Sequence, residues 1–134
     1  MRTNRPVAIA VATIVAIRTL DLMTSTAGAM SLSFSWRGVS PCTSSPPAFM
    51  LSNVPAGTSR LAFNMVDLNL PSFPHGGGTV SYQGTNEIAA GSFSYRGPCP
   101  PPGQQHNYRW TVRALDAAGK ALTTASATGQ FPPR

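Results

Sequence analysis

Asp67, His75 and His106 are the residues of this 134-residue sequence whose types and settings could do chemistry, and the two histidines are the only ones in the chain. A carboxylate and two imidazoles can hold an anion through ring N–H donors, pass a proton, or activate water or a serine. Nucleophilic catalysis finds no support, because no Gly-x-Ser-x-Gly elbow is present. The spacing of the three is irregular for a metal site. There is no phosphate-cradling glycine loop with its lysine and no dinucleotide fingerprint.

His106 follows Gly97-Pro98-Cys99-Pro100-Pro101-Pro102-Gly103, where four prolines and two glycines in seven residues dictate a stiff, non-helical loop. Beyond it Tyr108, Trp110, Val112 and Ala114 alternate with Asn107, Arg109, Thr111 and Arg113, the period of a strand with one face buried. His106 therefore stands where a rigid loop enters a core strand.

Asp67 is placed by parity. In the strand read over Arg60 to Leu70, Leu61, Phe63 and Met65 share a face, and continuing it brings Asp67 and then Asn69 to the same side. The opposite face carries Ala62, Val66 and Leu68 with Asn64, so this strand reads as central in a sandwich. A carboxylate aimed with three core side chains must be partnered or neutralised; otherwise local twist turns it into water, or it caps a turn. His75 lies in Pro-Ser-Phe-Pro-His-Gly-Gly-Gly, residues 71–78, which reads as a loop exposing the ring to whatever the loop encloses, with glycine N–H groups free to approach an anion.

The remaining elements follow the same logic. Leu32, Phe34 and Trp36 alternate with serines as an opening strand, and Ala48 to Leu51 reads as a second. Asn53 to Thr58 is a turn, Thr79 to Tyr82 a short strand, and Ser92 to Tyr95 an edge segment. Asp116 to Gly119 is a turn and Lys120 to Phe131 the returning strand, with alanine leaving a short helix open for part of it. The class is mostly β.

The first residues read differently. Arg2 and Arg5 precede the eleven-residue run from Val7 to Ile17, and Ala27-Gly28-Ala29 is a small-x-small cleavage pattern, so 1–29 reads as a signal peptide and 30–134 as a single β domain. The run is short for a spanning helix; an uncleaved tether or an amphipathic helix is the alternative. No cysteine follows it for lipid attachment. From Met30 onward, seven basic residues face three acidic ones, a net charge of +4 that favours anionic partners. The basic residues are scattered singly, which argues against nucleic acid. Cys42 and Cys99, an even pair behind an export signal, read as a disulfide worth ~4 kcal/mol in a domain of this size.

Three pieces of the chain resemble the phosphatidylethanolamine-binding protein family, in its bacterial branch similar to Raf kinase inhibitor protein. They are Ser45-Pro46-Pro47-Ala48 with Val54-Pro55-Ala56-Gly57-Thr58; Val66-Asp67-Leu68-Asn69-Leu70-Pro71; and Gly97-Pro98-Cys99-Pro100-Pro101 with His106-Asn107-Tyr108 and Ala114-Leu115-Asp116. The resemblance implies an antiparallel Greek-key β-sandwich with a small pocket for an anion or phospholipid headgroup. It implies Asp67, His75 and His106 as ligand-binding residues, walled by Pro100, Pro101 and Tyr108, and a cysteine pair placed as in periplasmic members. The chain departs from the family pattern at Leu68, Asn69, Gly76 and Asn107, where proline, aspartate, tryptophan and arginine are usual.

The reading that follows is a periplasmic or secreted binding protein, not an enzyme, needing no cofactor or metal, with a small anion or headgroup as partner and peripheral contact with membrane lipid. The alternatives are a secreted protein-directed inhibitor of a protease or kinase, and an acid/base hydrolase using Asp67, His75 and His106.

Overall fold

The computed structural model describes residues 28–134. The signal-peptide reading of 1–29 therefore lies, but for its last two residues, outside the described residues. Seven strands form in chain order: β1 (Ser31–Phe34), β2 (Phe49–Ser52), β3 (Arg60–Asp67), β4 (Gly77–Ser81), β5 (Glu87–Ile88), β6 (His106–Leu115) and β7 (Ala121–Phe131). They make a three-stranded sheet, β1-β2-β5, and a four-stranded sheet, β4-β3-β6-β7. Every pairing is antiparallel. Among the described residues there is no helix, and the alanines of β7 extend as strand.

Period-two alternation builds the core. Leu61, Phe63 and Met65 of β3 and Tyr108, Trp110, Val112 and Ala114 of β6 point inward from the large sheet. Leu32, Phe49, Leu51 and Ile88 meet them from the small one. Phe49 is the keystone: fully buried, it stacks on Phe63 at 4.6 Å and meets Trp110 edge-on at 5.0 Å. Such offset and edge contacts add to the area the rings remove from water.

β3 is central, as its pattern suggests, flanked by β4 and β6. It ends at Asp67 rather than Leu70. The reason is local: the Asp67 carboxylate accepts the N–H groups of Asn69 and Leu70, closing a turn that competes with strand extension. β1 likewise stops at Phe34, although Trp36 remains buried and its Nε1–H donates to the Gly129 carbonyl at 3.3 Å.

The glycines after His75 are not a free anion loop. Gly77 and Gly78 open β4 and pair with Asn64 and Phe63. A Cβ on Gly77 would overlap the Phe63 carbonyl, and one on Gly78 would lie 2.5 Å from Phe93 Cβ. Their missing side chains let β4 approach β3 and the Phe93 ring.

Ser92 to Tyr95 is no strand, yet this stretch is tied to the 42–46 segment. Tyr95 N–H donates to the Ser44 carbonyl, Gly97 N–H to Thr43 and Cys42 N–H to Pro98. The Cys42–Cys99 disulfide closes the end of this seam, across 57 residues of sequence. It anchors the proline loop that leads to β6.

Candidate functional site

The site forms where β3 ends and β6 begins. Asp67 and Tyr108 are directly paired across these strands, and His106 lies two residues before Tyr108 on the same inward face. Parity thus delivers both side chains to one end of the sandwich.

Asp67 is 3% exposed. Its Oδ2 accepts a 2.6 Å hydrogen bond from His106 Nδ1–H, while Oδ1 accepts from the backbone of Asn69 at 2.9 Å and Leu70 at 3.2 Å. Burial works to raise its pKa, but the His106 hydrogen bond, the Asn69 N–H, the His106 charge and the Leu70 N–H outweigh it, and the carboxyl titrates below its ordinary 3.8. It is an ionised acceptor in neutral solution and not a proton donor. Because a carboxylate only accepts, His106 Nδ1 carries a proton; Nε2 lies 3.1 Å from Gln104 Oε1, also an acceptor, a contact that an Nε2–H closes when the ring is doubly protonated.

His75 sits differently from its sequence reading. It is buried, at 5% exposure. Its Nδ1–H donates to the Arg96 carbonyl at 2.6 Å, and the Arg96 N–H donates back to the His75 carbonyl at 2.9 Å. A carbonyl only accepts, so this tautomer is also set, with Nε2 as the uncommitted nitrogen. The ring packs edge-on to Tyr108 at 5.5 Å and against Phe73 at 4.6 Å. Gly76 supports the reversal after it with a φ of 75°, in the left-handed region glycine tolerates.

Asn69 does not share the inward face of Asp67. The turn swings it outward, where its Oδ1 accepts the Asn107 N–H at 2.7 Å and staples the turn to β6.

Asp67, His75, His106, Pro100, Pro101 and Tyr108 line one cavity of about 200 Å³, completed by Leu70, Phe73 and Cys99. The disulfide is thus part of the wall. Burial first, then the Asp67 carboxylate, pushes the Tyr108 hydroxyl well above its ordinary 10.0, so it stays protonated and can only serve as a neutral hydrogen-bonding group in neutral solution. No serine, threonine or lysine lines this cavity; Ser94 lines a neighbouring one that His75 also borders. No cluster of three or more His, Cys, Asp or Glu side chains suited to a metal occurs among the described residues. What the arrangement supplies is two imidazoles, each with Nδ1 committed to an acceptor, lining a narrow, mostly apolar recess.

The family model described as phosphatidylethanolamine-binding protein matches residues 22–131. The chain belongs to the phosphatidylethanolamine-binding protein family. Solved structures show the same fold. A phosphatidylethanolamine-binding protein homolog from Chlamydia trachomatis, CT736, superposes with a TM-score of 0.59 at 18% identity, covering 79% of this chain and 99% of that one. Escherichia coli YbcL, described as a new member of the mammalian family, superposes with a TM-score of 0.56 at 15% identity, covering 80% and 100%. No curated protein matches the sequence. As a phosphatidylethanolamine-binding protein, the chain is a ligand-binding protein of mostly β fold.

Leu70, Phe73, Cys99 and Gln104 are not legible as site residues from the sequence. Phe73 carries one signal, its place two residues before His75 between prolines; Gln104 has its place two before His106. Arg96 carries none, since it reaches His75 through its main-chain carbonyl.

Proposed function

We propose that this protein is an exported, non-enzymatic binding protein whose cavity takes the phosphate group of a small anion or phospholipid headgroup. The observation that carries the reading is the 2.6 Å bond from His106 to Asp67, which fixes a histidine with its other nitrogen turned outward in a cavity that His75 also lines. When His106 is protonated, Nδ1–H stays on the carboxylate and Nε2–H becomes a charged donor for a phosphate oxygen. Gln104, 3.1 Å from that nitrogen, occupies a place a ligand oxygen would take.

Size and lining support the same class of ligand. About 200 Å³ is below the ~300–1,000 Å³ typical of sites that enclose a drug-sized molecule, and suits a headgroup. The disulfide, together with the signal-peptide reading of 1–29, supports an oxidising compartment, the periplasm or the exterior. An acid/base hydrolase is the weaker reading, since no serine, threonine or lysine lines the cavity that holds the Asp67–His106 pair.

Calorimetric titration with inorganic phosphate and glycerophosphoethanolamine tests the proposal. His106→Ala should weaken binding by about 1.5–3 kcal/mol, the range for a hydrogen bond to a charged group, with the circular dichroism spectrum kept. Equal affinity in parent and variant, or no binding by the parent, would overturn it.

A further inference from the structure

The cavity has room for a phosphate-bearing headgroup and none for acyl chains, so a bound lipid must leave most of its mass outside the mouth. The mouth has an apolar rim. Residues 68–74, Leu-Asn-Leu-Pro-Ser-Phe-Pro, carry no charge and are exposed along the whole stretch. Three of the five large exposed hydrophobics among the described residues fall there: Leu68 at 40%, Leu70 at 47% and Phe73 at 40%. Pro101 and Pro102 are exposed on the proline loop, whose Pro101 lines the cavity with Leu70 and Phe73.

This apolar collar is held in place. The Asp67 carboxylate and carbonyl both accept the Leu70 N–H, and the Phe73 N–H donates to the Leu70 carbonyl at 3.1 Å. One cation joins it: the Arg96 guanidinium lies 5.9 Å from the centre of the Phe73 ring. Rigid, exposed leucine and phenylalanine beside an arginine, on a domain of formal net charge +4 from Met30 onward, suit a surface that is apolar below a layer of phosphates.

We propose that the collar is a membrane-docking surface. The loop carrying Leu68, Leu70 and Phe73 enters the boundary between headgroups and acyl chains, Arg96 engages lipid phosphates, and the cavity takes the headgroup of a lipid that stays in the bilayer. This rests on the headgroup reading of the cavity and adds where the rest of the lipid goes. Interfacial binding of this kind scales with buried apolar area and with attraction to anionic lipid.

A collar variant separates docking from headgroup binding. Leu68→Glu with Ser72→Glu places two charges on exposed collar positions that do not line the cavity. Flotation of the purified protein with protein-free vesicles of phosphatidylcholine, phosphatidylethanolamine and phosphatidylglycerol should show the double variant binding at least about tenfold more weakly than the parent. Its calorimetric affinity for soluble glycerophosphoethanolamine should stay within about twofold of the parent's. Equal flotation of parent and variant would overturn the docking surface while leaving the cavity reading intact. So would a parent that ignores protein-free vesicles and associates only with native membranes, which would assign the collar to a protein partner.

Discussion

His106 Nδ1 lies 2.6 Å from Asp67 Oδ2, across 39 residues of sequence and one strand pairing. The carboxylate beneath that bond is almost wholly buried, so the pair is both a structural joint and the orienting element of the cavity.

Acid stability should report the joint. The folded pKa of Asp67 lies below its ordinary 3.8, so the folded chain holds fewer protons there than the unfolded one, and the contribution is full above that value and lost as pH falls through and below it. Denaturant titrations from about pH 6 to pH 2 should show the parent losing more stability than Asp67→Asn. At neutral pH Asp67→Ala should cost about 2–3 kcal/mol, because it strands the His106 donor and two backbone N–H groups.

Alkaline pH should act through the tyrosines. Burial chiefly raises Tyr95 and Tyr108 above the ordinary 10.0, with the Tyr108 charge adding to the first and Asp67 to the second. The unfolded chain therefore gives up protons the folded chain keeps, and stability falls as pH rises past 10.0. Tyr108→Phe should flatten that fall in denaturant titrations. Tyr95→Phe should do the same at little cost, since the buried Tyr95 hydroxyl has no hydrogen-bond partner.

Gly78→Ala should destabilise by about 1–3 kcal/mol, because the new methyl meets Phe93. A purely ligand-binding role for this glycine would instead leave thermal unfolding unchanged and lower affinity for phosphate.

Much of the site is legible in the sequence. Strand parity aims Asp67 inward, and the proline run before Tyr108 and Trp110 puts His106 at a loop–strand junction. The rest depends on tertiary partners. Asn69 follows the same parity but turns outward, because Asp67 caps the turn after it and Asn107 takes its oxygen. His75 looks exposed among glycines, and its burial depends on a main-chain carbonyl that residue identity does not encode. Gly77 and Gly78 read as loop until Phe63 and Phe93 show why a strand there has no side chains. β5, two residues long, is too short to carry any period.

Loss of the disulfide should cost up to ~4 kcal/mol and loosen the cavity wall, since Cys99 lines it. Non-reducing mass spectrometry of the protein from the periplasm or culture medium should find neither thiol open to alkylation; two alkylated thiols would contradict the bridge.

In the proposed binding mode, His75 and His106 each carry a second proton at Nε2 and donate it to a phosphate-bearing ligand, while Nδ1–H of each stays committed to the Arg96 carbonyl and the Asp67 carboxylate. With only two histidines in the chain, nitrogen-15 resonance of the imidazoles reads it directly. Titration with glycerophosphoethanolamine should move both Nε2 signals saturably, with each Nδ1 remaining protonated throughout. Ligand saturation that leaves both Nε2 signals in place would contradict the account.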